Sequence, residues 1–128
     1  MTQTALEQGI TQFNHQDFYA CHDTLEAIWL EASAAEKNFY QGILQIAVGC
    51  YHLGNDNWRG AVILLGEGIR RLADYTPSHH QVNVDRLRED SYHLLQRLQR
   101  LQGIEPSQVQ TLLNDPQFAW PHIDYPTV

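Results

Sequence analysis

The stretch Glu36–Leu53, EKNFYQGILQIAVGCYHL, decides the fold. Phe39, Ile43, Ile46 and Cys50 recur at helical spacing and centre one face, and Tyr40, Leu44 and Tyr51 widen it past half the circumference. A helix this apolar belongs in the middle of a bundle, because a surface helix keeps one face polar. Its longest apolar run, Ile43–Leu53, is too short for a bilayer and is interrupted by Gln45 and His52. Gly54-Asn55-Asp56 closes it, with glycine in the usual terminating role.

Working outward, helical spacing predicts four more helices. One runs from Thr4 to Phe13, with Leu6, Ile10 and Phe13 on one side. The next runs from Asp17 to Glu31, with Phe18, Cys21, Leu25, Ile28 and Trp29 within about 100° on the helical wheel and Asp17 suited to an N-cap or first-turn acid. A fourth runs from Asn57 to Tyr75 on a stripe of Trp58, Ala61, Val62, Leu65, Ile69 and Leu72. Thr76-Pro77-Ser78 breaks the chain, and a fifth runs from Val84 to Gln102, closed by Gly103. A short helical turn is expected from Pro106 to Leu113. No run alternates with the period of a strand. The tail, NDPQFAWPHIDYPTV, has three prolines but carries Phe118, Trp120 and Tyr125, and is expected to lie extended across the bundle. The expectation is an all-α, compact bundle of about five helices built on two helix-turn-helix hairpins, with an extended Pro-rich C-terminal tail. It is one domain over 1–128, with the hairpins in 4–75 and the last helix and docked tail in 82–128.

The chain has 128 residues, 43% of them hydrophobic and 18% charged, which excludes a disordered polymer. Its formal charge is −7, with no Lys/Arg cluster, so nucleic acid and anionic membranes are poor partners. The start, MTQTALEQGITQF, has neither the basic nor the apolar segment of a signal peptide. Cys21 and Cys50 both sit in apolar helical patterns and outside any C-x-x-C, as expected of buried thiols in a cytoplasmic protein. The apolar content is high for a bundle this small, so a homodimer through the fourth or fifth helix is expected.

Two segments repeat. Phe13–Trp29 (FNHQDFYACHDTLEAIW) aligns with Leu53–Ile69 (LGNDNWRGAVILLGEGI) at an offset of 40 residues. Phe18 matches Trp58, Ala20 matches Gly60, Cys21 matches Ala61 and Leu25 matches Leu65. In each, an aromatic fills the hinge and a small residue is expected to let two helices approach. GNDNWRGAVILL looks like the second half of a tetratricopeptide-type hairpin, but two units fall short of a solenoid. Asn14 and Asn55, in the matching turns, are expected to tie down the backbone there.

A polar cluster interrupts this apolar pattern. His22 and Glu26 lie one turn apart at the edge of the second helix's stripe, above Trp29, and Gln41, Gln45 and His52 share one side of the central helix. Buried amides and imidazoles must find partners, so His22, Glu26, Gln45 and His52 are expected to converge between the two helices. Three readings stand open. One is a structural network within an interaction module. A second is a small-molecule or hydrolase-type site with Glu26 as general base, His22 or His52 as acid or orienter, and Trp29, Gln45 and Gln41 around the ligand. The third is a divalent metal held by His22, Glu26 and His52, the only reading that calls for a cofactor. H-x-x-x-E is not the zincin H-E-x-x-H, and neither a P-loop, G-x-G-x-x-G nor G-x-S-x-G occurs, so no enzyme class is assigned. His79-His80, in a Pro/Ser loop, reads as solvated.

These residues carry a resemblance. Phe13, Asn14, Phe18, His22, Asp23, Leu25, Glu26 and Trp29 are similar to the signature of the domain-of-unknown-function family numbered three hundred and nine, and Phe39, Gly42, Gln45, Ala47, His52, Gly54-Asn55, Gly60 and Ala61 to its second half. Asp23 stands where Glu is common, and nothing after Tyr75 is covered. The resemblance implies a compact all-helical domain with no established activity, and it groups His22, Glu26, Trp29, Gln45 and His52 as motif positions.

Overall fold

Eleven residues of the central helix are buried, Gln45 among them, and its neighbours pack on either side of it. In a computed structural model, described over residues 2–101 and 106–126, the order is α1 (Thr2–Asn14), α2 (Phe18–Glu31), α3 (Ala34–Gly54), α4 (Trp58–Leu72), β1 (Ser78–His79), β2 (Val82–Asn83), α5 (Val84–Arg100) and α6 (Pro106–Leu113). Helix α3 lies between α2 and α4, with α1 outside α2 and α5 outside α4. The fold is the expected all-α bundle. Phe13, Leu25, Phe39, Ile43, Leu65 and Leu98 are among its fully buried side chains, each contributing about 1.5–3 kcal/mol on the usual area scale. Among the described residues no helix is long and apolar enough to cross a membrane.

Glycine sets how close α3 and α4 come. A Cβ on Gly68 would stand 2.6 Å from Ile46 Cγ1 and 2.7 Å from the Gly42 carbonyl oxygen. The closest backbone approach therefore occurs at Gly42 and Gly68, away from the repeat's small residue Gly60. There a Cβ would meet Asn57 Nδ2 at 2.7 Å and His52 Cδ2 at 2.9 Å, so Gly60 makes room for the His52 ring.

The repeat is real at the level of the backbone. Gln16 and Asp56, equivalent at the 40-residue offset, both have φ 62°. Asp17 N–H donates to the Gln12 carbonyl and Asn57 N–H to the His52 carbonyl; Gln16 N–H donates to Phe13 and Asp56 N–H to Leu53. The N-cap residues are Asp17 and Asn57; only Asn57 caps through its side chain, accepting from Gly60 N–H at 3.0 Å. The hinge aromatics also behave alike. Phe18 packs edge-on against Phe13 and beneath Trp120 of the tail, while Trp58 Nε1 donates to the Leu98 carbonyl of α5 at 2.6 Å.

Several expectations change. Asn55 ties its own turn, donating to the Tyr51 carbonyl, but Asn14 reaches out of its turn and clamps the tail: its Nδ2 donates to the Ile123 carbonyl and its Oδ1 accepts from Ile123 N–H, both at 2.9 Å. Helix α4 stops at Leu72 and tightens into a 3-10 turn over Ala73–Tyr75. A cis Thr76–Pro77 bond follows. The segment read as an unstructured break then forms a two-stranded antiparallel hairpin, with Ser78 opposite Asn83 and His79 opposite Val82. His80 and Gln81, at φ 48° and 67°, make its two-residue turn with both centres left-handed, as such a hairpin requires. The closing role read for Gly103 lies outside the described residues. The tail is docked: Ile123 and Tyr125 are buried, Asp124 pairs with Arg86 at 2.7 Å, and Tyr125 bonds to Gln3.

Candidate functional site

The expected cluster does not converge. His22 is half-buried and pairs with two carboxylates of its own helix, Nδ1 with Asp23 and Nε2 with Glu26, each at 3.1 Å. Glu26 is exposed. The stripe buried by α2 is Phe18, Cys21, Leu25 and Ile28, and Glu26 lies beyond its edge on the solvent side. Gln45 is buried but faces α4: its Oε1 accepts from Arg71 Nε at 3.0 Å and its Nε2 donates to Glu67 at 3.2 Å, while Arg71 also reaches Asn38 at 2.7 Å. The polar side of α3 is thus turned to α4, because Gly42 sits on that side and admits α4 closely. His52 lies in the last turn of α3 and faces the α3–α4 turn, its Nδ1 3.3 Å from Asn57 Nδ2. Trp29 lies under Lys37, whose Nζ is 4.3 Å from the ring centroid and donates to the Trp29 carbonyl. Gln41 is half-buried on α3. The ligand atoms of His22, Glu26 and His52 therefore make no three-ligand metal group here.

What links His22 to His52 is a run of rings. His22 contacts Tyr19 (6.0 Å between centroids), Tyr19 contacts Tyr51 (5.4 Å), and Tyr51 contacts His52 (6.1 Å). Tyr19 is 58% exposed and Tyr51 39%. An aromatic surface, edged by Asp23 and Glu26, thus stands where a buried polar network was expected.

A second constellation was missed. His79 Nε2 lies 2.9 Å from Glu36 Oε1 and 3.2 Å from Oε2, and His80 Nε2 lies 2.5 Å from Oε1. Among the described residues these three form the group whose ligand atoms lie within 4.8 Å of one another. Glu36 sits in the first turn of α3 and the histidines at the tip of the hairpin. The hydrogen bond from His79 holds the Glu36 carboxyl below the usual carboxylate range, against the opposing effect of burial. Burial, with the nearby Glu36 charge, pushes the Tyr40 hydroxyl up. The paired histidines were visible in the sequence, but their shared partner lies 43 and 44 positions away. Elsewhere, Cys21 and Cys50 are free and buried. Burial pushes the Cys21 thiol up to about 12, and that of Cys50 higher still.

Stacked αα-hairpins with an aromatic surface, and with no catalytic motif recognisable in the sequence, define a small all-α domain. Residues 6–64 match the family model described as Domain of unknown function (DUF309), the family whose signature the sequence resembles. The chain is also similar to the Uncharacterized protein YpuF of Bacillus subtilis (strain 168), 36% identical over 58 residues, or 44% of this chain and 33% of that protein. The chain thus spans about a third of the length of this curated relative. The family match takes in Tyr19, His22, Glu26, Tyr51 and His52 and ends before the His79-His80 hairpin.

Proposed function

We propose that this domain is a protein-interaction module whose contact surface is the Tyr19–Tyr51 face at the start of α2 and the end of α3, and whose partner presents a basic segment. The exposed, mutually packed tyrosines carry this reading, since tyrosine gives large contact area at low entropic cost. Charge names the partner's chemistry. The first 57 residues hold seven acidic side chains and one basic one, and the remaining 71 hold eight and seven. Asp23 and Glu26 bring that excess to the rim of the face. The two like hairpins, read from sequence as similar to tetratricopeptide-type units, support the same class of function, and the free thiols support a cytoplasmic setting. The test is a nuclear magnetic resonance titration with a leucine- and lysine-containing peptide and its leucine- and glutamate-containing counterpart. Shifts confined to the start of α2 and the end of α3, seen with the lysine peptide and weakened about tenfold by Tyr19→Ser with Tyr51→Ser, support it. Equal response to both peptides, or no response, overturns it.

A homodimer is the second reading. Ile63 on α4 and Tyr92 on α5 are 51% and 50% exposed, which places apolar surface on the two helices named from sequence. Sedimentation at micromolar concentration is expected to show a dimer that Ile63→Asp with Tyr92→Asp converts to a 14.7 kDa species. A wild-type chain already at that mass removes the reading.

A further inference from the structure

We propose that Glu36, His79 and His80 form a binding site for a divalent transition-metal ion of the zinc type. Two imidazole nitrogens and one carboxylate oxygen are a donor set that zinc takes in open sites, where a fourth position remains for water or a small ligand. The ligand atoms are already gathered. Zinc at about 2 Å from each donor holds the donors roughly 3.3 Å from one another, and here the Nε2 atoms stand 2.9 and 2.5 Å from Glu36 Oε1. The gap to close is about 0.4 Å at His79 and about 0.8 Å at His80, a spreading within reach of side-chain rotation and not a rearrangement of helices.

Both imidazoles are held in place before any ion arrives. The His79 ring is packed edge-on between Phe39 (4.7 Å) and Tyr75 (4.8 Å), and the His80 ring lies parallel to Tyr40 at 14°. The left-handed turn at His80 and Gln81 brings the second imidazole back over the carboxylate. Without a metal, each Nε2–H donates to the same carboxylate. In the bound form each Nε2 offers its lone pair to the ion and the ring proton sits on Nδ1, the tautomer in which an imidazole binds a metal through Nε2. Two N–H···O hydrogen bonds are exchanged for two N–metal bonds and one O–metal bond. Glu36, Tyr40 and His80 also line an open cavity of about 620 Å³ walled by Ala5, Ile28 and Ala32. An ion here has room beside it for a further ligand, in a mostly apolar setting that favours a fixed polar contact.

The experiment is calorimetric titration of the chelator-stripped full chain with zinc, alongside magnesium, with the visible absorption of cobalt(II) as a reporter of nitrogen ligation. One zinc per chain, no matching magnesium heat and a tetrahedral cobalt spectrum are expected. His80→Ala and Glu36→Gln should each weaken binding by more than about tenfold, while His22→Ala leaves it unchanged. His80 is an exposed turn residue, so its variant keeps the fold, and circular dichroism checks this. Absence of saturable zinc binding, equal binding of magnesium, or binding that survives both Glu36→Gln and His80→Ala overturns the site. The Tyr19→Ser, Tyr51→Ser chain retains the zinc response, so this proposal and the interaction face stand or fall separately.

Discussion

Glu26 is half in water, and an exposed i,i+4 pair with an imidazole contributes little after side-chain entropy and solvent screening. Glu26→Ala is therefore expected to move a urea midpoint by less than about 0.5 kcal/mol in equivalent stability. A loss several times larger would restore the buried network that the sequence suggested. Cys21 gives a sharper expectation. With its thiol pushed from 9.0 to about 12, the thiolate fraction near pH 8 falls about a thousandfold, and alkylation in the native state should be correspondingly slow. The sign for stability follows. The folded chain keeps a proton that the unfolded chain loses above pH 9.0, so this contribution is complete below that pH and is lost as pH rises toward about 12. Cys21→Ala should flatten the alkaline fall in a stability profile, and an unchanged slope would show the thiol to be more exposed than it is here. At this scale the residue types were legible and their partners were not. His22 and Glu26 could be paired from i,i+4 spacing alone, whereas Gln45 has polar sides open to two helices and only the Gly42–Gly68 contact decides which one it meets. Glu36 with His79 and His80 depends on a hairpin that no periodicity announces.

Elements were more legible than sites, for a physical reason. A stripe at helical spacing repeats its signal over several turns, so α3 and α5 could be read from their leucines and isoleucines, and their ends differ from the reading by two residues or fewer. A strand of two residues has no period to read, and β1 and β2 are held by a turn and by Val82 in the core, not by alternation. The 40-residue repeat was legible because it is written in both hydrophobic pattern and turn chemistry, down to Gln16 and Asp56 in the same left-handed conformation. The small-residue reading found one of the contacts and missed the tightest, since Gly60 makes room for the His52 ring at the end of α3 while Gly68 meets the α3 backbone at Gly42. Gly68→Ala tests that division. Its Cβ would press on the Gly42 carbonyl, which belongs to a backbone that cannot turn aside, so a loss of about 1–3 kcal/mol is expected in chemical denaturation despite alanine's better helix propensity. A variant as stable as the wild type would show that α3 and α4 are free to separate.

Across the whole molecule, the tail does for the first hairpin what α5 does for the second. Trp120 covers the hinge aromatic Phe18 at 5.2 Å, as the Leu98 carbonyl receives Trp58. The chain then runs back past Asn14, whose amide holds Ile123 at both its N–H and its carbonyl, and Asn83 N–H donates to the Asp124 carbonyl, tying the same segment to β2. One strip of extended chain thereby links the α1–α2 turn, the hairpin and α5, elements far apart in sequence. Its aromatic content made docking legible, but the landing place was not, because an extended segment has no register of its own and takes that of the groups waiting for it. Removing residues 116–128 uncovers Phe18 and leaves the Asn14 amide in need of water. Burial of Ile123, Tyr125 and part of Trp120 contributes several kcal/mol by the area scale, which for a domain of this size corresponds to a fall in Tm of roughly 10 °C or more. Asn14→Ala isolates the clamp: it removes two hydrogen bonds and strands the Ile123 backbone, so about 1–2 kcal/mol should be lost with the tail still present. If truncation lowers Tm and Asn14→Ala does not, the aromatic contacts alone hold the strip; if neither does, the tail is a passenger and α1 and α2 are stable without it.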